Sequence, residues 1–392
     1  MGSCLKKPTP RGKGKLLFRS VPLINLKITL DKSLRSRFHP RSMPLSLDDI
    51  LNAADEHKAS DVFLMEGEIP RMKINGQLML FGDDPMQLSQ MVGLWQACGA
   101  APDGETDKDS GLVSTSHTRY RVNLHKAIGR LGVVMRRIRT DLPVLGNLGV
   151  PDWLLTKWAM KSRGLILVTG PTGMGKSTTM AGLLQWMNET CARHIVTIED
   201  PIEFMYPNKS SMFTQREVGR DTASYARGVR AAMRQAPDVI MVGEIRDLET
   251  ALTTLQASET GHLVLASIHS DSAVDAVDRL AHLFPPEQSA LGLHLLSQQL
   301  IGALCQKLLP RTDGAMHLLV EYLENGGAVK QWIAKQDIDN IRNYMQRGND
   351  PNCCTFLTNI VRAYEAGLIT EAEAIGACGN EIEFKRAARG IS

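Results

Sequence analysis

One stretch of this chain has the residue types and spacing of a phosphate cradle: Gly170-Pro171-Thr172-Gly173-Met174-Gly175-Lys176-Ser177, followed by Thr178. It fits the pattern G-x-x-x-x-G-K-[ST] in full. Glycines let backbone N–H groups wrap phosphate oxygens where a side chain would obstruct the approach. In such a loop Lys176 neutralises the β- and γ-phosphates of ATP, and the Ser177 hydroxyl binds Mg²⁺. The N-terminus of a following helix adds roughly half a unit of positive charge. The bland alternative is a glycine-rich turn with no ligand. The apolar run at residues 165–169 and the helical pattern beyond argue against it, because they give the loop its strand-to-helix context.

Three more polar clusters follow short apolar runs. Glu199, Asp200 and Glu203 follow residues 195–198, Glu244 follows residues 239–242, and His269 follows residues 263–268. Continuous apolar runs of this length, alternating with helical segments, are the signature of a parallel sheet covered on both faces. Ligands of such sheets bind at the carboxyl ends of the strands, so the four clusters should meet in one crevice. One of Glu203 and Glu244 should orient the attacking water and the other serve the Mg²⁺ shell; the pattern alone leaves open which. His269 lies beside the expected phosphates. His262 lies at the other end of its strand and reaches the nucleotide only if that strand is short or bent.

The elements that must position these groups are legible around them. Before the parallel pattern, a helix is expected over residues 45–58, then strands over 61–65, 71–74 and 77–81, and a helix over 87–98. A loop over 99–110 and strands near 118–124 and 132–138 complete a small α/β module. A Pro- and Gly-punctuated linker at 142–150 leads to a helix at 152–160. Beyond Asp313 the chain reads as mostly helical. The expected domains are a basic extension at 1–42, an α/β domain at 43–141, a linker and helix at 142–163, an ATPase core at 164–312 and a helical region at 313–392.

The chain of 392 residues is long enough for two or three domains, and its hydrophobic share of 43% supports a sizeable core. The net charge of +3 is unevenly spread: eleven Lys/Arg precede position 43 against Asp31 alone, leaving an acidic remainder. That opening segment reads as a disordered tail, a binding arm, a targeting sequence or an artefact of start-codon choice. None of the seven cysteines forms a C-x-x-C pair, which excludes zinc-knuckle and thioredoxin readings and suggests reduced thiols. No apolar run approaches the ~18 residues of a membrane span.

Together these residues resemble a known family. Thr197-Ile198-Glu199-Asp200-Pro201-Ile202-Glu203 looks like the "Asp box" of the type II/type IV secretion ATPases, and Thr260-Gly261-His262 through Ile268-His269 like their "His box". Gln215-Arg216-Glu217-Val218-Gly219 and Val242-Gly243-Glu244-Ile245-Arg246-Asp247 complete the set, similar to that of the PilT/PilU-type pilus retraction ATPases. The resemblance implies a RecA-like P-loop core with a smaller PAS-like N-terminal domain, assembled as a homohexamer in the cytoplasm. It implies ATP and Mg²⁺ between the domains, with Glu203 and Glu244 as the acid pair. Arginines on the matching strands, Arg121 and Arg136, would reach the phosphates. The implied partners are an inner-membrane pilus platform protein, at which the ring docks peripherally, and a second motor ATPase, with no direct nucleic-acid contact. The sequence departs from the retraction pattern at Ala127-Ile128, where Gln-Arg is usual. It departs again at 328–335, where A-I-R-N-L-I-R-E is replaced by Ala328-Val329-Lys330-Gln331-Trp332-Ile333-Ala334-Lys335. A RecA-like nucleic-acid translocase and a catalytically weak accessory subunit stand as alternatives. The acidic body speaks against the first and the retained Lys176, Glu203, Glu244 and His269 against the second.

Overall fold

A computed structural model describes residues 46–390 except 75, 105, 116, 117, 139 and 140. The basic segment at 1–42 lies outside the described residues.

The first domain is one antiparallel sheet with helices on one side. Its strands are β1 (Asp61–Met65), β2 (Arg71–Ile74), β3 (Gln77–Leu80), β4 (Asp107–Val113), β5 (Arg119–Ala127) and β6 (Arg130–Arg137), in the order β3-β2-β1-β6-β5-β4. Helices α1 (Leu47–Glu56) and α2 (Leu88–Ala97) supply Ile50, Leu51, Met91 and Trp95 to a core shared with Val62, Met72, Val122 and Met135. Ser46 and Asp49 close a reciprocal capping box that fixes where α1 begins. Strand alternation decides the rest. Tyr120, Val122 and Leu124 point into the core, so Arg119, Arg121 and Asn123 must point to the opposite face. Arg121 pairs in register with Arg136, and Arg136 with Asp61, which sets these three side by side on that helix-free face. β4 takes up the end of the stretch read from sequence as a loop.

The second domain follows a short linker and α3 (Asp152–Ala159). Its strands are β7 (Gly164–Thr169), β8 (His194–Glu199), β9 (Met212–Glu217), β10 (Val239–Val242), β11 (Leu263–Ile268), β12 (Leu300–Pro310), β13 (Met316–Glu324) and β14 (Cys353–Cys354). They lie in the order β14-β13-β12-β7-β11-β10-β8-β9. Strands β12, β7, β11, β10, β8 and β9 run parallel, and β13 and β14 are antiparallel additions. Every residue of β7, β10 and β11 is buried, as a sheet covered on both faces requires. Alternate residues feed two cores: Leu165 and Leu167 on one face, Ile166 and Val168 on the other. α4 (Lys176–Thr190) packs on the second face. α5 (Tyr225–Ala232), α6 (Leu248–Glu259), α7 (Ala273–His282) and α8 (Ser289–Gln299) pack on the first.

One sequence reading needs correction. β13 falls in the stretch beyond Asp313 read as mostly helical. Its Leu, Met and Glu content favours a helix locally, but pairing with β12 over nine positions and burial of Leu319–Leu323 override that preference. Five helices follow among the described residues: α9 (Gly327–Ala334), α10 (Ile338–Gln346), α11 (Phe356–Glu365), α12 (Glu371–Cys378) and α13 (Glu381–Ala388). The altered motif at 328–335 folds as α9, burying Val329 and Ile333.

Candidate functional site

The carboxyl ends of β7, β8, β10 and β11 and the helix-free face of the first domain enclose a cleft of about 760 Å³. It is lined by Thr172, Gly173, Gly175, Lys176, Ser177 and Thr178 of the cradle, by Glu199, Asp200, Glu203, Glu244 and His269, and by Arg121 and Arg136 from across the gap. All four polar clusters seen in the sequence therefore meet, because parallel register aligns the strand ends: Thr169 with Ile268, and Val242 with Ala266 and Ile198.

The glycines of the cradle are required by its shape. Gly173 and Gly175 have φ of +82° and +86°, in the left-handed region, and a Cβ at either would meet nothing within 4 Å. Gly170, with φ of +139°, lies so close to β12 that a Cβ would stand 2.5 Å from the Gln306 carbonyl. Gly170 and Pro171 do not line the cleft. Their carbonyls accept hydrogen bonds from the Lys176 ammonium at 2.7 and 3.0 Å. Met174 turns onto β12, its Sδ accepting from the Leu308 N–H at 3.2 Å.

From Lys176 a line of polar contacts crosses the site. The ammonium stands 3.3 Å from His269 Nδ1, and His269 Nε2 stands 3.0 Å from Glu244 Oε1. An ammonium can only donate, so Nδ1 accepts, and Nε2 carries the proton given to Glu244. The second oxygen of Glu244 accepts from Arg246 Nε at 2.7 Å. Burial pushes the Lys176 pKa below the usual lysine range, against the pull of the Glu244 carboxylate. Gly243 precedes Glu244 for a packing reason: a Cβ there would meet the Tyr225 hydroxyl at 3.1 Å.

The loop after β8 carries the other carboxylates. Ser177 Oγ donates to Glu203 Oε1 at 3.0 Å. Glu199 is buried, accepting from Thr197 Oγ1 at 2.6 Å and Gln215 Nε2 at 3.4 Å. Burial outweighs those bonds and pushes its carboxyl up to about 7. The two carboxylates thus differ in kind. Glu244 has each oxygen committed to a cationic or ring N–H donor, whereas Glu203 meets one neutral hydroxyl.

On the opposite wall, Arg136 Nε donates to Asp61 Oδ1 at 2.7 Å, with the arginine side chain 73% exposed and the aspartate 8%. Arg121 lies 3.4 Å from Asp109. Both arginines line the cleft from strands of the first domain, each held by a carboxylate of that domain.

Besides Gly170, Pro171 and Met174 of the cradle, His262 is a residue singled out from sequence that does not line the cleft. It stands outside this cleft, its Nδ1 2.9 Å from the Ala257 carbonyl. The intervening strand β11 is paired along its whole length, so the two histidines are separated by about 20 Å of extended chain. Reasoning from sequence missed Asp61 and Tyr225, which line the cleft. Asp61 announces itself only as a carboxylate opening an apolar strand, and Tyr225 gives no local signal.

The family described as "Type II/IV secretion system protein" matches residues 115–364. The chain belongs to that family. It is 33% identical over 337 residues to the type IV pilus ATPase PilU of Pseudomonas aeruginosa, covering 84% of this chain and 88% of that one. It is 32% identical over 337 residues to the pilus retraction ATPase PilT of the same organism, covering 84% and 97%. The solved structure of the pilus retraction motor PilT with bound ADP superposes with a TM-score of 0.78 at 36% identity, covering 88% of this chain and 100% of that one. The RecA-like core that the resemblance implies is therefore shared with a nucleotide-bound relative.

Proposed function

We propose that this protein is an ATP-hydrolysing motor that drives retraction of a type IV pilus, working as a homohexamer. The observation that carries the chemistry is the convergence of Lys176, Ser177, Glu203, Glu244 and His269 opposite the Arg121–Arg136 pair. The cradle fits a nucleoside triphosphate: it offers backbone N–H groups at the start of α4, a half-buried ammonium, and glycines with no Cβ to obstruct phosphate. Ser177 would hold Mg²⁺ through its hydroxyl, with Glu244 serving the ion's water shell, and the ion would offset charge on the β- and γ-phosphates when bound.

In this reading Lys176 leaves the loop carbonyls for the phosphates, and His269 holds the Lys176–Glu244 line in place. Glu203 orients a water for in-line attack on the γ-phosphorus and takes its proton, because it is the carboxylate without a cationic donor. The bond to the β–γ bridging oxygen breaks, giving ADP and phosphate. Arg121 and Arg136 offset the charge that develops, an effect worth about 10³–10⁵ in rate for arginines so placed elsewhere. The arginines belong to one domain and the cradle to the other, so filling and emptying the cleft alters the force between domains. That change is the mechanical output. Among the described residues no helix is long and apolar enough to cross a membrane. We assign the inner-membrane platform of the pilus as the partner that receives the motion, with the ring docked at it from the cytoplasm. A second motor ATPase of the same class is a further partner.

The test is a cell that makes the pilus. With this gene deleted, pili should assemble and fail to retract, and the parent gene, but not the Lys176→Ala variant, should restore retraction. Normal retraction in the deleted strain contradicts the assignment.

A further inference from the structure

The outer edge of the core sheet holds the Glu203 loop from both sides. Gln215 and Glu217 are two apart on β9 and therefore face the same way. Gln215 accepts from the Tyr206 N–H at 3.0 Å and donates to the Phe204 carbonyl at 2.8 Å. Glu217 Oε2 accepts from the Ile202 N–H at 3.3 Å, on the other side of Glu203. The same Oε2 atom is the one that the first domain touches. Arg119 Nη2 stands 3.9 Å from it, with side-chain exposures of 21% for Arg119 and 15% for Glu217. Arg119 Nη1 also lies 3.9 Å from the Sδ of Met205, within the held loop. β4 approaches the same region: Gly111 lies against the Arg220 side chain, whose Nη1 would stand 2.8 Å from a Cβ built there.

We propose that Glu217 is a positioning residue through which the first domain sets the water-activating loop, with Arg119 as the group that reports that domain's placement. The inference rests on the ATPase reading above and deepens it. With the domain seated, the Arg119 guanidinium keeps the carboxylate turned so that Oε2 meets both the guanidinium and the Ile202 amide. When the domain swings away, Oε2 loses its counter-charge, the 202–206 segment loses one of its two clamps, and Glu203 leaves its place beside Ser177. Hydrolysis is thereby coupled to domain position through one carboxylate oxygen, separately from the arginines that face the phosphates.

Steady-state ATP hydrolysis by the full chain, its Arg119→Ala, Arg119→Lys, Glu217→Gln and Glu217→Ala variants and the Arg119→Ala/Glu217→Gln double variant tests this. A misplaced catalytic group costs up to about 10²-fold in rate, so Glu217→Ala should lower kcat on the order of 10²-fold. Glu217→Gln removes the ion pair, and Arg119→Ala removes it together with the Met205 contact; each should lower kcat about tenfold. The double variant should be no worse than either single one. Arg119→Lys should recover most of the loss, while ADP affinity and KM for ATP stay within about twofold of the parent. Losses that multiply in the double variant, a wild-type kcat in Glu217→Ala, or a collapse of ADP affinity alongside kcat overturns the proposal. A parent chain that does not hydrolyse ATP removes the motor reading itself. A parent that does, with variants unchanged, removes this inference alone.

Discussion

Replacing Glu199 by glutamine should stabilise the protein at pH 8 and leave it nearly unchanged at pH 5. The carboxyl sits at the end of β8, buried, with its pKa raised from 4.5 to about 7 by burial. Between those values the folded chain keeps a proton that the unfolded chain releases. The native state then binds more protons than the unfolded state, so stability falls as pH rises through this window. At 1.36 kcal/mol per pH unit, the whole interval is worth about 3 kcal/mol. About 2–3 kcal/mol of that is lost between pH 5 and pH 8. Glutamine keeps the shape and can still accept from Thr197, but cannot ionise, so its stability should lack this slope. Chemical denaturation followed by fluorescence of Trp158 and Trp186, which belong to the core domain, reads the difference at each pH. Parallel profiles for parent and variant would show that the Glu199 carboxyl is not held neutral by its burial, and the reasoning would fall.

Arg136→Ala and Arg121→Ala should each lower single-turnover hydrolysis on the order of 10³-fold with nucleotide affinity little changed, since both stand across the cleft from the cradle; equal losses of binding would assign them to ground-state contact instead. Gly302→Ala should lower core stability by about 1–3 kcal/mol through overpacking, because the new Cβ would meet Trp158 Cζ2 at 2.3 Å and the Leu323 carbonyl at 2.8 Å. A thermal midpoint equal to the parent's contradicts that. Gly170→Ala should abolish nucleotide binding while leaving the first domain folded, since both its positive φ and the Gln306 carbonyl oppose a side chain. Calorimetric titration with ADP checks it.

The cleft was legible in sequence because its parts are local: a loop whose glycines and lysine must be adjacent, and strands short and apolar enough to be recognised as buried. Parallel topology then dictated that residues far apart in the chain share one end of the sheet. What escaped was set by tertiary pairing. β13 has helical composition and becomes a strand only because β12 is there to pair with it. Asp61 and Tyr225 enter the cleft through packing, which no local pattern encodes. His262 shows the converse: a motif placed it with His269, but a fully paired strand holds the two apart within one chain. The linkage from Arg119 through Glu217 to the Ile202 amide depends on how two domains seat, which lies beyond any pattern along the chain.

The central claim, that this cleft hydrolyses ATP to drive a ring, is tested most directly by ATP turnover and native mass of the full chain beside Lys176→Ala and Glu203→Gln. A species of about six subunits that turns over ATP at 1–100 s⁻¹ or slower, with both variants inactive and still assembled, is the expected result. A parent protein that assembles and binds ATP yet hydrolyses it no faster than Glu203→Gln would contradict the motor and leave an accessory subunit in its place.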